Sequence, residues 1–516
     1  MVVMIVKDEN KILLALFVFA LAIYILFLSN SLNFYDALTY AKSIRNAFEN
    51  KDMLLPFTSF GAYGPGSTRG LGRSSLYVLF SYPYTFLFTN ILHSDYDFAF
   101  NSFSAITAAF SIIFVYKIAR LYLDKKLSVI SSLIYAVTPF VFFIGINSSN
   151  YSLLLPFSAA WAYYLLLSLK TGNQNYGLLS SLLVVANIFI HPLSLPLLLP
   201  HAYGILKISK KIKIKWLVKN AAALSPAAIL IFYFYFVNPA YPLSTNFLTI
   251  LFETAIFGYE FINGLSVIFF LAFAISFLLL LKRLLVRKAD TFDIIFFLIF
   301  VGMCSSLFYF NDIPVVRFIS IFPILSIFVI KEFKNLMRFK NFRYFNFLMY
   351  LIIIFMLIKF LPLAYQFHTF PHPHKVYAMW LTTFNPSLVI IGHECPFVDF
   401  YTDLNFVCKS TQQINVTLPA TGVYATEEYF KNENEMEFEF MQKIMNLPFN
   451  AEVEAKIQKQ DFLQGKTFEK VAVYNGDLRS FEDMFQWMFT VYPNPATNLI
   501  INTAFIKPHY AIYKVS

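Results

Sequence analysis

Asp36, Tyr40 and Ser43 recur at helical spacing in the stretch NFYDALTYAKSIRN (33–46), with Thr39 beside them. That spacing sets a carboxylate and two hydroxyls along one side of a short polar helix. Asn33 is suited to cap the helix, and Asp36 in its first turn suits the positive end of the helix dipole. A carboxylate held in this way can act as a general base, taking the proton of a hydroxyl as that hydroxyl attacks. An isolated Asp at a helix start can equally do no more than stabilise the helix, so these residues alone leave both roles open. The complementary task, stabilising a developing anion, suits the fixed donor fork of arginine. Arg317, in NDIPVVRFIS, stands nearly alone among uncharged turns; an ion pair with Asp312 or snorkelling to headgroups is the competing explanation. Arg69 and Arg73 stand in GPGSTRGLGRSS, where the glycines permit a tight loop.

Other reactive residue types have plainer readings. Glu253 and Glu260 are spaced two helical turns apart, which fits a binding role and a wet helix face alike. His368, His372 and His374 in HTFPHPH have ligand-like spacing, yet the prolines favour an extended linker and no carboxylate or Cys joins them locally. A structural zinc site wants four ligands, so none is expected there. His191 and His201 flank Pro-rich helix pieces and read as satisfied helix histidines. Asp95 and Asp97 read as a solvated turn before a span. Cys395 and Cys408 would suit a disulfide in an oxidising exterior, which spacing alone does not decide. Asn147 (NSS) and Asn415 (NVT) match glycosylation acceptors, a pattern short enough to arise by chance.

The elements that must position these residues are overwhelmingly apolar. Of 516 residues, 58% are hydrophobic, 19% aromatic and only 14% charged, with mean hydropathy +0.60, which excludes an ordinary soluble protein. Runs at 11–29, 98–121, 128–146, 152–169, 177–190, 193–206, 220–237, 264–281, 291–310, 315–331 and 344–363 predict about eleven membrane-spanning helices. The first run lacks a small-residue cleavage pattern and reads as an anchor. The net charge of +10 does not indicate a nucleic-acid partner, because the basic residues are divided among short loops. With the N-terminus inside, loops at 117–126, 207–219, 282–288 and 331–343 collect Lys and Arg, whereas 147–151, 191–192 and 238–263 contain none. This parity requires 74–92, interrupted by Pro83, to lie at the outer surface without crossing. From 380 onward, strand-like runs such as SLVIIG and KVAVY alternate with helical ones, as in a small α/β domain. The predicted organisation is a multi-pass cell-membrane domain over 1–364, a linker over 365–379 and an extracytoplasmic α/β domain over 380–516.

The stretch FYDALTYAKSIRNAFENKDMLLP resembles the first outer loop of GT-C class glycosyltransferases, especially protein O-mannosyltransferases and lipid A aminoarabinose transferases. In that class an acidic residue follows the first span and heads a surface-lying helix, with an aromatic residue four positions later. Here these are Asp36 and Tyr40. Residues 100–145 resemble the second and third spans of the class joined by a basic turn, HPLSLPLLLP a later span, and DIPVVRFISIFPILSIF its span with an Arg near the start. The resemblance implies an all-α polytopic membrane domain that moves a sugar, with inversion, from a polyprenyl-phosphate donor to an extracytoplasmic acceptor. For that reaction Asp36 is the candidate base, and Arg317, then Arg69 and Arg73, are the candidate ligands of the donor phosphate. Tyr40 would contact substrate, as would Glu253 and Glu260 if they do not simply form a wet helix face.

The chain departs from the pattern in ways that bear on metal. Many relatives carry two adjacent acids where this chain has Asp36 and Ala37, and a further carboxylate in the second outer loop where it has Asn147 and Asn150. No cofactor is therefore assigned: a two-carboxylate metal site is disfavoured, Asp95 and Asp97 being the substitutes that read better as a solvated turn, and a divalent metal stays open. The Trp-Trp-Asp motif of oligosaccharyltransferases is absent. A flippase of lipid-linked saccharides and a catalytically inactive GT-C relative are the alternatives. A transporter would place ionisable groups at mid-membrane and broken helices in both halves, whereas here the unusual residues gather on one surface.

Overall fold

A computed structural model describes residues 2–32, 35–51, 75–209, 214–232, 261–262, 264–305, 315–337, 342–369, 373–391, 395–408, 421–426, 468–475 and 509–515. The helices of the first part are α1 (Val2–Leu26), α2 (Tyr35–Asn50), α3 (Ser75–Phe86), α4 (Tyr96–Tyr122), α5 (Lys125–Val137), α6 (Pro139–Ile146) and α7 (Tyr151–Thr171). They continue with α8 (Gln174–Ile190), α9 (Leu198–Ser209), α10 (Ile214–Phe232), α11 (Val267–Leu285), α12 (Thr291–Ser305), α13 (Phe322–Met337) and α14 (Phe342–Thr369). Local sequence sets many of the ends. Asp95 caps α4 by accepting from Phe98 N at 2.6 Å, and Asp124 caps α5 by accepting from Leu127 N at 3.0 Å. Gly172, at φ 71°, ends α7 in the left-handed conformation that glycine adopts without strain.

Among the described residues, five helices are long and apolar enough to cross a membrane: Glu9–Leu26, Tyr96–Tyr122, Tyr151–Thr171, Val267–Leu285 and Phe347–Thr369. A sixth arises if α5 and α6, bent by 61° at Thr138, count as one span. Pro139 explains that break, since it cannot donate into the preceding turn and restricts Thr138 before it. Two further predicted runs enter through 3-10 turns, Pro192–Leu197 before α9 and Val315–Ile321 before α13. A run divided in this way leaves an α-helix too short to span alone.

Hydrogen bonds and ion pairs sort the helix termini into two ends. At the first, Glu9 pairs with Arg120 (3.1 Å), Lys170 donates to Leu121 O (2.8 Å) and Lys334 pairs with Asp124 (3.4 Å). Arg283 bridges Asp293 (3.0 Å) and Glu332, and Lys331 holds Asp290 (2.6 Å) and Asp293 (2.7 Å). At the second end, Ser29 N donates to Ile146 O (3.0 Å), Asn30 N to Phe367 O (2.9 Å) and His368 Nδ1 to Leu28 O (3.0 Å). Among the described residues, the basic loops thus gather at one end of the bundle and the turns at 147–151 and 191–192 at the other. Helix α3 stays at the second end throughout. Tyr77 meets Ser148 (3.3 Å), Tyr84 meets Ser102 (2.9 Å), and the π-helical turn Leu87–Ile91 brings Phe88 against Phe98.

Beyond α14 the expected linker is helical where described, with α14 running to Thr369 and α15 covering Pro373–Leu381. Then come β1 (Leu388–Ile391), α16 (Cys395–Tyr401), β2 (Phe406–Cys408), β3 (Val423–Thr426), β4 (Phe468–Asn475) and β5 (His509–Val515). They form a five-stranded mixed sheet of order β2-β1-β3-β5-β4. Strand β1 is parallel to both neighbours, and β5 is antiparallel to β3 and β4. All four residues of β1 are buried, as expected of a central parallel strand. Cys395 is disulfide-bonded, Cys304 is a free thiol, and Cys408 stands opposite Ile391 at the end of β2.

Candidate active site

At the second end, α2 lies between the bundle and the sheet domain. Its two sides are differently occupied, as its amphipathic sequence requires. On one side the Tyr40 ring packs on Tyr77 at 5.0 Å and the Tyr40 hydroxyl accepts from Asn150 Nδ2 at 3.2 Å. Phe48 continues this side against Tyr82 and Phe86. On the other side, Lys42 pairs with Asp399 (3.2 Å), while Arg45 donates to Phe400 O (3.0 Å) and lies over the Phe400 ring. Helix α16 of the sheet domain therefore grips α2 from the face opposite Tyr40.

Under α2 runs a buried polar layer. Asn101, fully buried, donates through Nδ2 to Ser29 O (2.9 Å) and Ser31 O (3.0 Å), and accepts from Ser148 N through Oδ1 (2.7 Å). One amide thus ties α4 to the chain leaving α1 and to the 147–150 turn. Ser104 accepts from Ser149 N (3.3 Å) and donates to Ser152 (3.1 Å). Polar groups removed from water are stable when bonded internally, and Asn101 and Ser104 meet that condition through the pairs just named. Ser43 and Ser149 hold buried hydroxyls that have no partner among the described residues.

The solvated turn expected at Asp95 and Asp97 needs correction. Asp95 caps α4, but Asp97 is buried, ion-paired with Lys375 of α15, and accepts from the Tyr401 hydroxyl at 2.6 Å. Leu32 N in turn donates to the Tyr401 oxygen at 3.1 Å. Burial, reinforced by the Asp97 carboxylate, pushes the Tyr401 phenol far above its ordinary range and keeps it a donor. Sequence reading missed this cluster because Lys375 and Tyr401 lie some 280 and 300 residues along the chain from Asp97. The one local hint was a second acid just after a helix cap.

The other expected residues fall as follows. Asp36 occupies the first turn of α2, four residues before Tyr40. Arg317 belongs to the 3-10 turn before α13, away from the end of that helix bearing Lys331 and Lys334. Asn33, Arg69, Arg73, Glu253, Glu260, His372 and Asn415 lie outside the described residues. Asn147 is fully buried and donates to Phe143 O at 3.0 Å, which removes it as a glycosylation acceptor. His201 meets Trp161 Nε1 (3.3 Å) and Ser181 (3.0 Å), and so is a satisfied helix histidine. His191 packs beside Tyr151.

Residues 81–241 match the family model described as dolichyl-phosphate-mannose-protein mannosyltransferase. No curated protein is similar enough to the chain to count as a relative. Among solved structures, the chain is similar to the apo oligosaccharyltransferase of Archaeoglobus fulgidus, at 13% identity and TM-score 0.46, covering 77% of this chain and 64% of that one. It is similar to the same enzyme with Zn and sulfate, at 13% identity and TM-score 0.45, covering 77% and 62%. It is also similar to ArnT of Cupriavidus metallidurans bound to undecaprenyl phosphate, at 12% identity and TM-score 0.45, covering 75% and 74%. The chain thus spans less than two thirds of the length of the archaeal oligosaccharyltransferase. The resemblance to GT-C class membrane glycosyltransferases read from residues 10–335 has its counterpart in the family match.

The described residues do not fit a metal. No group of three or more His, Cys, Asp or Glu among them is placed to hold one, and the turn beneath α2 offers the amides of Asn147 and Asn150, already engaged as donors. Hard divalent cations are held chiefly by carboxylate oxygens.

Proposed function

We propose that this chain is a multi-pass GT-C glycosyltransferase that moves a sugar from a polyprenyl-phosphate donor to an extracytoplasmic acceptor by direct displacement. The observation that carries the reading is the seat of α2. A helix with an acid in its first turn lies across the end of the bundle opposite the basic loops, backed by a buried polar layer and gripped by the sheet domain. A lipid-linked donor keeps its tail in the bilayer and its phosphate at the boundary, so the chemistry belongs at such an end. Asp36 takes the acceptor proton as the bond to the sugar forms, Tyr40 contacts substrate, and Arg317 stabilises the departing lipid phosphate with Arg69 or Arg73. Glu253 and Glu260 contact substrate. The dolichyl-phosphate mannose in the description of the family matched by residues 81–241 favours a sugar of that kind.

The basic end faces the cytoplasm under the positive-inside rule, with the N-terminus, which puts α2 and the domain over 380–516 outside. The disulfide at Cys395 supports this side, because such bonds persist in oxidising compartments. Lys359, buried in α14, is the feature that favours a transporter. Consumption of dolichyl-phosphate mannose by membranes decides between the readings. Asp36→Asn should lower it about 100-fold or more, and Arg317→Ala should depress it too, whereas Lys359→Met should spare it. Full turnover in Asp36→Asn would remove the proposed base.

A further inference from the structure

The Asp97 cluster joins four separate parts of the chain: the first turn of α4, helix α15, helix α16 of the sheet domain, and Leu32 just ahead of α2. Its bonds run in one direction. Leu32 N–H donates to the Tyr401 oxygen (3.1 Å), the Tyr401 hydroxyl donates to Asp97 Oδ1 (2.6 Å), and Lys375 pairs with Asp97 Oδ2. Lys375 also lies over the Tyr401 ring, 4.7 Å from its centre. The phenol can occupy the middle of this relay only while protonated. Buried ion pairs contribute little net stability against apolar side chains of similar shape, because desolvation offsets most of the attraction. What such a network does supply is a unique geometry, since every member must be present for any to be satisfied.

That geometry ends at a functional point. Leu32 is the last described residue before α2, and Asp36 lies four residues beyond it. Lys42 and Arg45 hold the middle of α2 to Asp399 and Phe400, the residues just before Tyr401 on the same helix. Helix α16 therefore fixes both the entry to α2 and its central turns. A helix so held cannot slide or turn relative to α4, to which Asp97 belongs.

We propose that Asp97, Lys375 and Tyr401 are positioning residues through which the C-terminal sheet domain sets the place of Asp36 over the end of the bundle. This rests on the reading of Asp36 as the base. None of the three touches the reacting atoms; they act through α2. The sheet domain is thus part of the catalytic apparatus even if it contributes no residue to the chemistry.

The test uses the full-length protein in lipid nanodiscs. Amide hydrogen exchange over 35–50 is followed in wild type, Tyr401→Phe and the charge-neutral double variant Asp97→Asn/Lys375→Met, with α7 and α8 as internal reference. The expected result is exchange about tenfold faster over 35–50 with the reference unchanged. With dolichyl-phosphate mannose as donor, kcat should fall about tenfold or more while the donor KM moves less than about twofold, and Lys375→Arg should retain most of the turnover. Unchanged exchange over 35–50 would overturn the proposal, as would faster exchange with undiminished kcat. Asp36→Asn runs alongside. If that variant keeps full turnover the reading of the base fails, whereas the exchange comparison still decides whether the domain holds α2.

Discussion

Asn101 is the residue on which the second end depends most. Its single side chain satisfies two carbonyls from the exit of α1 and one N–H of the 147–150 turn, all removed from solvent. Replacing it with Leu keeps the volume and strips the partners, leaving buried groups that cost about 1–3 kcal/mol each. Asn101→Leu should therefore melt several degrees below wild type in detergent, and well below a substitution at an exposed site such as Lys288. Sequence reading passed over Asn101 because an Asn inside an apolar helix carries no motif; only the fold reveals which backbone ends it meets. Tyr40, by contrast, was singled out by its helical spacing from Asp36, and its hydroxyl accepts from Asn150. Tyr40→Phe should keep the ring contact with Tyr77 and lose only the hydroxyl bond. The buried Asn150 amide loses this acceptor, so a modest fall in melting temperature is expected together with a larger proportional fall in turnover, which activity beside thermal melts would reveal.

Close approach between elements is set by small residues where backbones nearly touch. A methyl group at Gly145 in α6 would stand 2.9 Å from the Tyr24 ring of α1, and that ring is anchored by its hydroxyl on Ala136 O (2.9 Å). The ring cannot withdraw without losing this bond, so Gly145→Ala should destabilise by about 1–3 kcal/mol through overpacking. Gly172→Ala, where nothing lies within 4 Å but φ is 71°, should cost only the backbone penalty of about 1–2 kcal/mol. Introducing Tyr24→Leu should recover stability in the first variant and not in the second, which thermal melts of the double variants would separate. The existence of most helices was readable because apolar runs and caps such as Asp124 are local. The bend at Thr138 and the 3-10 entries to α9 and α13 were less so. Proline marks a break, but whether the chain resumes as one span or as a re-entrant piece depends on what packs against it. The same limit applied to 365–379, where prolines suggested an extended linker and packing of Lys375 against Asp97 accompanies a helix.

At the scale of the whole molecule, loop charge in the sequence pointed to the termini around Arg120, Arg283 and Lys331, which do meet at one end of the bundle. It could not tell that the sheet domain reaches back to α2, since no local pattern links Lys42 to Asp399 or Leu32 to Tyr401. The basic end carries its own pH dependence. Burial raises the Asp290 carboxyl, but the Lys331 ammonium more than offsets this and holds it below the ordinary range. A depressed carboxylate binds fewer protons folded than unfolded, so it stabilises at neutral pH and loses that contribution as pH falls through its folded value. Asp290 is half exposed, which limits the effect to under about 1 kcal/mol. The melting temperatures of wild type and Asp290→Asn should accordingly converge below about pH 4. Sidedness gives the sharper test, because everything proposed for Asp36 requires its end to face out. In a Cys304→Ser background, which removes the free thiol, His93→Cys marks the turn after α3 and Lys288→Cys the basic loop after α11; both sites are exposed. A membrane-impermeant maleimide should label position 93 in intact cells and position 288 only after permeabilisation. The reverse pattern would leave the proposed base on the cytoplasmic side, where no extracytoplasmic acceptor could reach it.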